Sequence, residues 1–449
     1  MRLVMRSPQL RRIVVAYTIN RLGGWVGLLA LVLAVYDHTG HSALAVSALL
    51  AASLAVPALL VPAVVARVEA SERGRELSGL YVFEGLVTAG LAVLLWNFSL
   101  APVLGLVVLD GVAALAASSL LRSEVARAAR LWAESRAAAG EDLGDGDLDA
   151  AAEEAERAAN AMLNLGFSIS FVAGPALGGV IVAAAGAPTA LFIDVASFLL
   201  CGALLLDLHP HVENAGGDSV RARLRAAWSH VAGSPTLRAL FVAEFVALLF
   251  IETGAPIEVT YVKSTLDAGD SGVGLLLAMW GAGGIVGSLV FARLVRWPLR
   301  ILLASGSLAI GLAYLGLAAA PSLGLACLAG LVGGVGNGMQ WPSLISAVQQ
   351  LTPPNLHGRL MGAAESLGSL CVGLGLPLGG GLVALSSPRP AFWIVGAGAT
   401  LATLGLLAVR TGGARGSGGL DAPEPPSADP MALSLEAAQA SAGGERLTN

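Results

Sequence analysis

Long apolar runs of this sequence contain isolated ionisable residues, and their chemistry has to be explained first. One of these residues is basic and six are acidic: Arg21, Glu84, Asp110, Asp194, Glu244, Glu252 and Glu365. An ionisable group inside hydrocarbon costs about 2.5–3.5 kcal/mol on insertion scales, so each should face a partner or a water-filled cavity. One arginine cannot neutralise six carboxyl groups. Several of them must therefore be protonated, hydrated or close to an interface, and such groups can take up and release protons.

The apolar runs are long enough to cross a lipid bilayer. The chain is 55% hydrophobic and only 13% charged, whereas soluble domains carry about 25% charged residues. A helix of ~20 apolar residues spans the hydrocarbon core. We predict an all-α integral membrane protein with twelve spans: 13–36, 43–66, 77–97, 101–121, 159–185, 188–206, 237–262, 272–292, 300–319, 322–348, 360–385 and 389–409. The seventh is the least apolar, because three glutamates interrupt it.

The basic residues predict the orientation of these spans. All but three of the 26 Lys and Arg residues lie at the termini or in the loops of one side. The opposite side has only Lys263 and Arg389, and Arg21 lies inside the first span. Because loops rich in Lys and Arg stay in the cytoplasm, we expect both termini to be cytoplasmic. The predicted location is the inner (plasma) membrane.

Lysine occurs once in the chain, which bears on the energy source. A P-loop for ATP needs a Lys directly after a Gly, but Lys263 follows Val262. We therefore expect no nucleotide site and no cofactor. Any driving force should come from an ion gradient, with the proton gradient as the first candidate.

Two short internal repeats divide the chain into halves. Residues 7–11 (SPQLR) recur as 234–238 (SPTLR), and residues 174–179 (GPALGG) recur loosely as 375–380 (GLPLGG). Spans one and seven, and five and eleven, therefore correspond, as in transporters built from parallel repeats. The predicted organisation is an N-terminal six-helix half at 1–206, a cytoplasmic linker at 207–235, a C-terminal six-helix half at 236–410 and a disordered cytoplasmic tail at 411–449.

The first half also carries an acidic, Ala-rich insert at 131–156, between spans four and five. Acidic residues at 145, 147, 149, 153 and 156 have the spacing of a calcium-binding loop. The Gly that such a loop needs for its turn is replaced by Ala150. We therefore favour a solvated, partly helical loop on the cytoplasmic side.

Several strings resemble one family of transporters. They are NRLGGW at 20–25, VYDHTGHSALAV at 35–46, AANA at 158–161, GPALGG at 174–179, FIDVASF at 192–198 and PPNLHGR at 353–359. Together they resemble the enterobactin-exporter-like (drug and siderophore efflux) branch of the major facilitator superfamily. Two departures affect coupling and gating. Gly24 stands where the branch often has an acid, and Glu69 replaces the Asp expected between spans two and three.

The resemblance implies two pseudo-symmetric six-helix bundles in which spans one, four, seven and ten line a central cavity. The cavity and coupling candidates are then Arg21, Asp110, Glu244, Glu252, Asn20, Tyr17, Asn337, Gln340 and Trp341. Arg21 and Asp110 are expected to interact across that cavity. Spans three and six stand outside it, so Glu84 and Asp194 are interpreted as structural charges, and Glu258 is placed at the outer interface. The alternative, that all these charges only hold helices together, stays open.

Gating is assigned by resemblance to two further groups of residues. Glu69, Arg73 and Arg75 lie in the loop between spans two and three. Gly174, Pro175, Gly178 and Gly179 resemble the antiporter motif of span five. Proline breaks the helical hydrogen-bond ladder, and the glycines allow close packing against the other half.

These features favour a secondary transporter that exports small amphipathic organic molecules, in exchange for protons, by alternating access. An uptake permease and a transporter-like sensor or assembly factor remain as alternatives. We find no zinc-protease or nucleophile-elbow motif and predict no enzyme activity. The expected partners are a small-molecule substrate and the lipid bilayer, with no nucleic acid and no metal, and we expect a monomer.

Overall fold

The computed structural model describes residues 7–69, 76–138, 148–206, 231–294, 296–352 and 357–408. These residues form twelve long helices, numbered here in chain order, and contain no β-strand. The first six are α1 Pro8–His38, α2 Ala43–Glu69, α3 Glu76–Leu94, α4 Leu100–Ala138, α5 Leu148–Ala185 and α6 Ala187–Leu204. The second six are α7 Pro235–Thr260, α8 Gly269–Arg293, α9 Leu299–Ala319, α10 Leu323–Gln350, α11 His357–Leu385 and α12 Pro388–Ala408. A 3₁₀ turn at Leu95–Asn97 follows α3, and a π-turn at Tyr261–Thr265 extends α7.

Among the described residues, ten helices have the length and hydropathy needed to cross a membrane. The apolar stretch of α2, Ala43–Pro57, is shorter. With 21 residues, α12 is ~31 Å long, which matches the hydrocarbon thickness. The prediction of an all-α, twelve-helix membrane protein is confirmed. We call the side on which α1 begins the base, and the side on which α1 ends at His38 the top.

The helices are arranged as two similar six-helix halves. In the first half α1 packs on α5 and α6, and in the second half α7 packs on α11 and α12. The pairs α2–α4 and α3–α6 likewise have counterparts in α8–α10 and α9–α12. The halves meet along two seams, α5 with α8 and α2 with α11. A cavity between the halves is therefore flanked by these two seams.

The first sequence repeat begins equivalent helices. Ser7 precedes α1, and its hydroxyl oxygen accepts a hydrogen bond from the Leu10 amide at 3.4 Å. Ser234 precedes α7 and accepts one from the Leu237 amide at 3.3 Å. In both helices a proline follows the serine, at a position where its missing N–H costs no helical bond. The repeated letters thus mark the same N-terminal cap in each half.

The second repeat forms the seams between the halves. A Cβ atom on Gly274 of α8 would lie 2.3 Å from the carbonyl oxygen of Pro175 on α5, and one on Gly179 would lie 3.1 Å from the Gly274 Cα. In the equivalent seam, a Cβ on Gly380 of α11 would lie 2.9 Å from the Ala43 carbonyl oxygen of α2. These distances are too short for side chains. The glycines are therefore what allows the backbones of the two halves to touch.

The insert at 131–156 is more ordered than a solvated loop. Helix α4 continues beyond its predicted span to Ala138, and α5 begins at Leu148, before its predicted span. Ala129 and Ala155 on these extensions are fully buried in one apolar cluster. The structure therefore shows two packed helical extensions at the base, because small alanine side chains let them lie close together.

Two of the acids with calcium-loop spacing are engaged in ion pairs. Asp149 lies 3.2 Å from Arg130, and Glu153 lies 2.7 Å from Arg157. Both acids are on a helix, whose geometry does not form a calcium loop. No cluster of metal-ligating side chains occurs in the part of the chain that the structure describes.

Other predictions fall on residues outside the described ranges. They concern the loop residues Arg73 and Arg75, most of the linker 207–235 and the tail 411–449. Glu69 is the last residue of α2.

Candidate functional site

A cavity of about 350 Å³ lies between the two halves. Its walls are mostly apolar and come from helices of both halves, including Leu28 and Val32 of α1 and Leu376 of α11. Aromatic rings stand on two sides of it. Trp25 and Phe171 come from the first half with ring centroids 4.8 Å apart, and Trp280 and Tyr314 come from the second half with centroids 5.6 Å apart.

Two carboxyl groups of α7, those of Glu252 and Glu258, line this central cavity. Glu258 is only 7% exposed. The expectation that Glu258 sits at the outer interface is therefore wrong. Counting residues along α7 placed it near the span end, whereas the chain continues past Thr260 through the π-turn, so the true helix end is further on. Asn337 of α10 also lines the cavity, as predicted.

A second cavity, of about 220 Å³, lies inside the first half. Its walls come from α1, α2, α3, α4 and α6, and it collects the four ionisable residues that the sequence analysis placed inside the apolar spans of that half. They are Arg21, Glu84, Asp110 and Asp194, with Asn20 beside them. We call it the polar cavity. Glu84 and Asp194 were expected to stand apart from Arg21 and Asp110, and the structure instead brings all four to one space.

The carboxyl groups of the polar cavity have few hydrogen-bond donors. Asp110 accepts a bond of 3.4 Å from the Thr88 hydroxyl, and Asp194 accepts one of 3.1 Å from the Ser197 hydroxyl. Glu84 is 1% exposed, and its Oε1 has no hydrogen-bond partner. Neutral hydrogen-bond donors therefore stabilise these carboxyl groups only weakly.

Arg21 likewise has few interaction partners. Its guanidinium lies over the Tyr17 ring at 5.2 Å, and its buried Nε has no hydrogen-bond partner. The ion pairs found within the described residues lie elsewhere in the chain. Arg21 and Asp110 were predicted to interact across the central cavity; they instead share the polar cavity inside the first half, without a salt bridge between them.

Glycines of α1 make room for Asp194. A Cβ on Gly23 would lie 2.6 Å from one carboxylate oxygen of Asp194, and one on Gly27 would lie 2.3 Å from the other. The Gly23–Gly27 spacing places both on one face of the helix. Sequence reasoning missed this pairing, although two glycines four residues apart beside Arg21 were its readable signal.

The polar and central cavities adjoin each other. Trp25, Leu28 and Leu54 line both of them. Trp25 also packs against Gly174 of the span-five motif. A Cβ atom placed on Gly174 would lie 2.4 Å from the Trp25 Cβ. A change on either side of Trp25 can therefore reach the other cavity and the α1–α5 contact.

Comparisons with known proteins bear on this arrangement. The sequence profile of the Major Facilitator Superfamily matches residues 240–434. The nucleoside transporter NupG has the same fold, with a TM-score of 0.66 and 13% identity over 91% of this chain and 99% of NupG. A bacterial homologue of the iron transporter ferroportin in an inward-facing state gives 0.63 and 16% identity over 89% of this chain and 97% of its own. The family profile and the shared fold support the major facilitator superfamily that the sequence predicted.

Members of this superfamily are transporters and not enzymes, and the comparisons support a transporter role for this chain. Curated relatives include the multidrug efflux pump Tap of Mycobacterium tuberculosis, 28% identical over 333 residues, which cover 73% of this chain and 75% of Tap. The Tap pump of Mycolicibacterium fortuitum is 27% identical over 236 residues, covering 50% and 56%. The relatives agree with the drug-efflux side of the predicted branch.

Four predicted cavity residues line neither cavity: Tyr17, whose ring lies beneath the Arg21 guanidinium, Glu244, Gln340 and Trp341. Glu244 is 3% exposed and accepts hydrogen bonds of 3.1 Å at both carboxylate oxygens from the Gln340 side chain. This α7–α10 pair borders only a very small void of about 10 Å³. Trp341 is 43% exposed and lines neither of the two cavities described above. Helix rotation, which the sequence does not give, decides these placements.

At the top of the transporter, Lys263 joins the two halves. Its ammonium lies 2.6 Å from Asp37, at the end of α1, and 2.6 Å from Asp270, at the start of α8. It also lies 5.5 Å from the centroid of the Tyr36 ring. The Lys263 side chain is only 14% exposed. We call this group the top bridge. The only sequence feature that pointed to it was the scarcity of basic residues on that side.

Proposed function

We propose that this transporter exports small amphipathic organic molecules across the plasma membrane, in exchange for protons, by alternating access. The observation that carries the proposal is the central cavity, which both halves build and which combines aromatic walls with few polar groups. Pockets of 300–1,000 Å³ with such walls suit drug-sized ligands. The efflux pumps named among the relatives support the same substrate class.

Alternating access is supported by the way in which the halves meet. The glycine seams and the top bridge are contacts between two bodies of similar structure. Packed helices without interlocking side chains can rock about such seams, and the top bridge must part for the cavity to open on that side. The top is the outer side if the positive-inside rule holds for this chain.

Proton exchange is supported by the polar cavity. Three carboxyl groups share it with one arginine, and one oxygen of Glu84 and the Nε of Arg21 have no partner. A buried carboxylate without a partner is costly, so a proton or the approaching guanidinium would stabilise it. Asp110 and Arg21 are our first candidates for coupling. Glu252 in the central cavity is the next.

Purified transporter in liposomes tests the proposal. Transport of antibiotics and siderophores is followed under an imposed pH gradient, with a pH-sensitive dye inside the vesicles and protein-free liposomes as the control. We expect substrate and proton fluxes in opposite directions. Fluxes in the same direction would support an uptake permease instead. A protein that binds these compounds and moves none of them would be a sensor or assembly factor.

A further inference from the structure

The charges on the central cavity have one sign. Glu252 and Glu258 both line it, and its described lining residues include no Lys, Arg or His. Neither side-chain carboxyl group forms a hydrogen bond or an ion pair with another described residue. The Tyr314 hydroxyl, which is on the same wall, is committed to the carbonyl oxygen of Ile251 at 3.1 Å. These two carboxyl groups therefore face the cavity without a partner from the chain.

The nearest basic side chains are already surrounded by acids. Arg21 lies in the adjoining polar cavity with three carboxyl groups. Lys263 is held by Asp37 and Asp270 in the top bridge. Neither can offset the charge of Glu258, which is 7% exposed and so has little water around it. Since none of the described residues pairs with these carboxylates, we look for a partner that stabilises them outside the described part of the chain.

The walls of the cavity fit a bulky, apolar body around such a charge. Trp25 and Phe171 present ring surfaces from one half, and Trp280 and Tyr314 present them from the other. Aromatic faces attract both apolar groups and cations. The same rings give an anion no hydrogen-bond donor other than edge N–H groups of tryptophan.

We propose that the central cavity binds amphipathic organic cations of drug size, with Glu252 and Glu258 as the charge-recognising residues. The inference rests on the proposed export function and names the substrate class of that site. It separates two classes that the sequence left open, because anionic siderophores would meet two carboxylates and no base. Cationic drugs and antibiotics would meet complementary charge and aromatic walls.

Two probes of nearly the same shape and opposite charge test this inference. Tetraphenylphosphonium and tetraphenylborate each carry four phenyl rings on a charged centre. Binding of each to the purified transporter in nanodiscs is measured by equilibrium dialysis, which needs no transport. We expect the cation to bind at least ~10-fold more tightly than the anion, since a hydrogen-bonded or contacting charge pair contributes on this scale.

Variants then locate the charge preference. Glu258→Gln and Glu252→Gln should each weaken cation binding ~10-fold and leave the anion unchanged or bound more tightly. Glu134→Gln is the matched control, because Glu134 is half exposed on the α4 extension, far along the helix from either cavity. It should change neither affinity. Thermal unfolding of each variant checks that the fold is kept.

Each outcome separates the inference from the proposed function. Tighter binding of the borate, or equal binding of both probes, overturns the inference. So does cation binding that is unaffected in Glu258→Gln and Glu252→Gln together. Proton-driven export of neutral compounds would leave the proposed function standing in those cases. Conversely, selective cation binding by a protein that moves nothing would uphold the site and overturn export.

Discussion

Arg21 and Glu84 each keep a buried polar atom without a hydrogen-bond partner, and both face the polar cavity. Such atoms are rare in folded proteins, because each forfeits the hydrogen bonds it had in water. Two of them in one cavity fit our proposal of a site that changes partners during a transport cycle. Arg21 can approach a carboxyl group in one conformation and release it in another.

Arg21→Ala should abolish export. It leaves the three carboxyl groups of the polar cavity without the only base among its lining residues, and an uncompensated buried charge costs ~3–5 kcal/mol. Transport in liposomes measures the loss. Arg157→Ala is the control, because its ion pair with Glu153 is exposed and worth little. Export at the wild-type rate in Arg21→Ala would show that the guanidinium is only a packing group.

Asp110→Asn tests the coupling role of the same cavity. The substitution keeps the shape of the side chain and its bond to Thr88 but removes the titratable group. We expect uphill export to stop following the imposed pH gradient, while downhill exchange of substrate continues. If export still follows the gradient, the proton carrier is not Asp110. Glu84→Gln and Asp194→Asn would then be the next variants.

At the scale of single helices, the seam between α5 and α8 depends on missing side chains. Gly274→Ala should destabilise the transporter by about 1–3 kcal/mol, because the new Cβ would lie 2.3 Å from the Pro175 carbonyl oxygen. Thermal unfolding in detergent measures the effect. Gly105→Ala on α4 is the control, since nothing lies within 4 Å of its Cβ position. Equal melting temperatures for both variants would contradict a tight seam.

The helices themselves could be predicted from sequence, because a span is set by the hydropathy of ~20 consecutive residues. The caps at Ser7 and Ser234 were also readable, as local patterns. The direction in which a side chain points could not be predicted, because a rotation of α7 or α10 about its own axis leaves the sequence unchanged. Glu244 was therefore placed in the central cavity, although it is buried against Gln340.

Long-range packing within a half was the other feature that could not be predicted from the sequence. The resemblance put α3, α6, α9 and α12 outside the central cavity and α4 on its wall. Tyr314 of α9 lines that cavity, however, and none of its described lining residues comes from α4. The resemblance also gave no reason to expect a second cavity inside the half. Asp194 reaches that space only because Gly23 and Gly27 leave room on α1. The two glycines indicate a close approach to α1, but a single sequence does not say which distant residue makes it.

For the whole molecule, orientation is the first quantity to measure. Reporter fusions should give outer-side signals at His38, Ala187 and Pro321, and cytoplasmic signals at Gly74, Gly144 and Gly216. The reason is the excess of Lys and Arg on the side of the termini. Reversed signals at two or more positions would invert the topology and, with it, the proposed direction of export.

Under the proposed alternating access, we expect the top bridge to set the balance between the two conformations. Lys263→Gln removes both ion pairs and should favour opening of the top, because little else that is charged joins the described halves there. In a Val259→Cys background, whose thiol would line the central cavity, a membrane-impermeant reagent added from the top should react several-fold faster. Arg389→Gln is the control, since Arg389 bonds carbonyl oxygens of Ala318 and Ala320 within one half. An unchanged labelling rate in Lys263→Gln would show that the top bridge does not hold the top closed.

Because Lys263 is the only lysine of the chain, the bridge also provides a built-in chemical handle. An amine-reactive dye has two targets in the whole polypeptide, this side chain and the terminal amino group. While Asp37 and Asp270 hold the ammonium, acylation should be slow, and each parting of the halves should expose it. The rate of dye incorporation at Lys263, read by peptide mass spectrometry, would then count openings of the unmodified transporter under any gradient or drug.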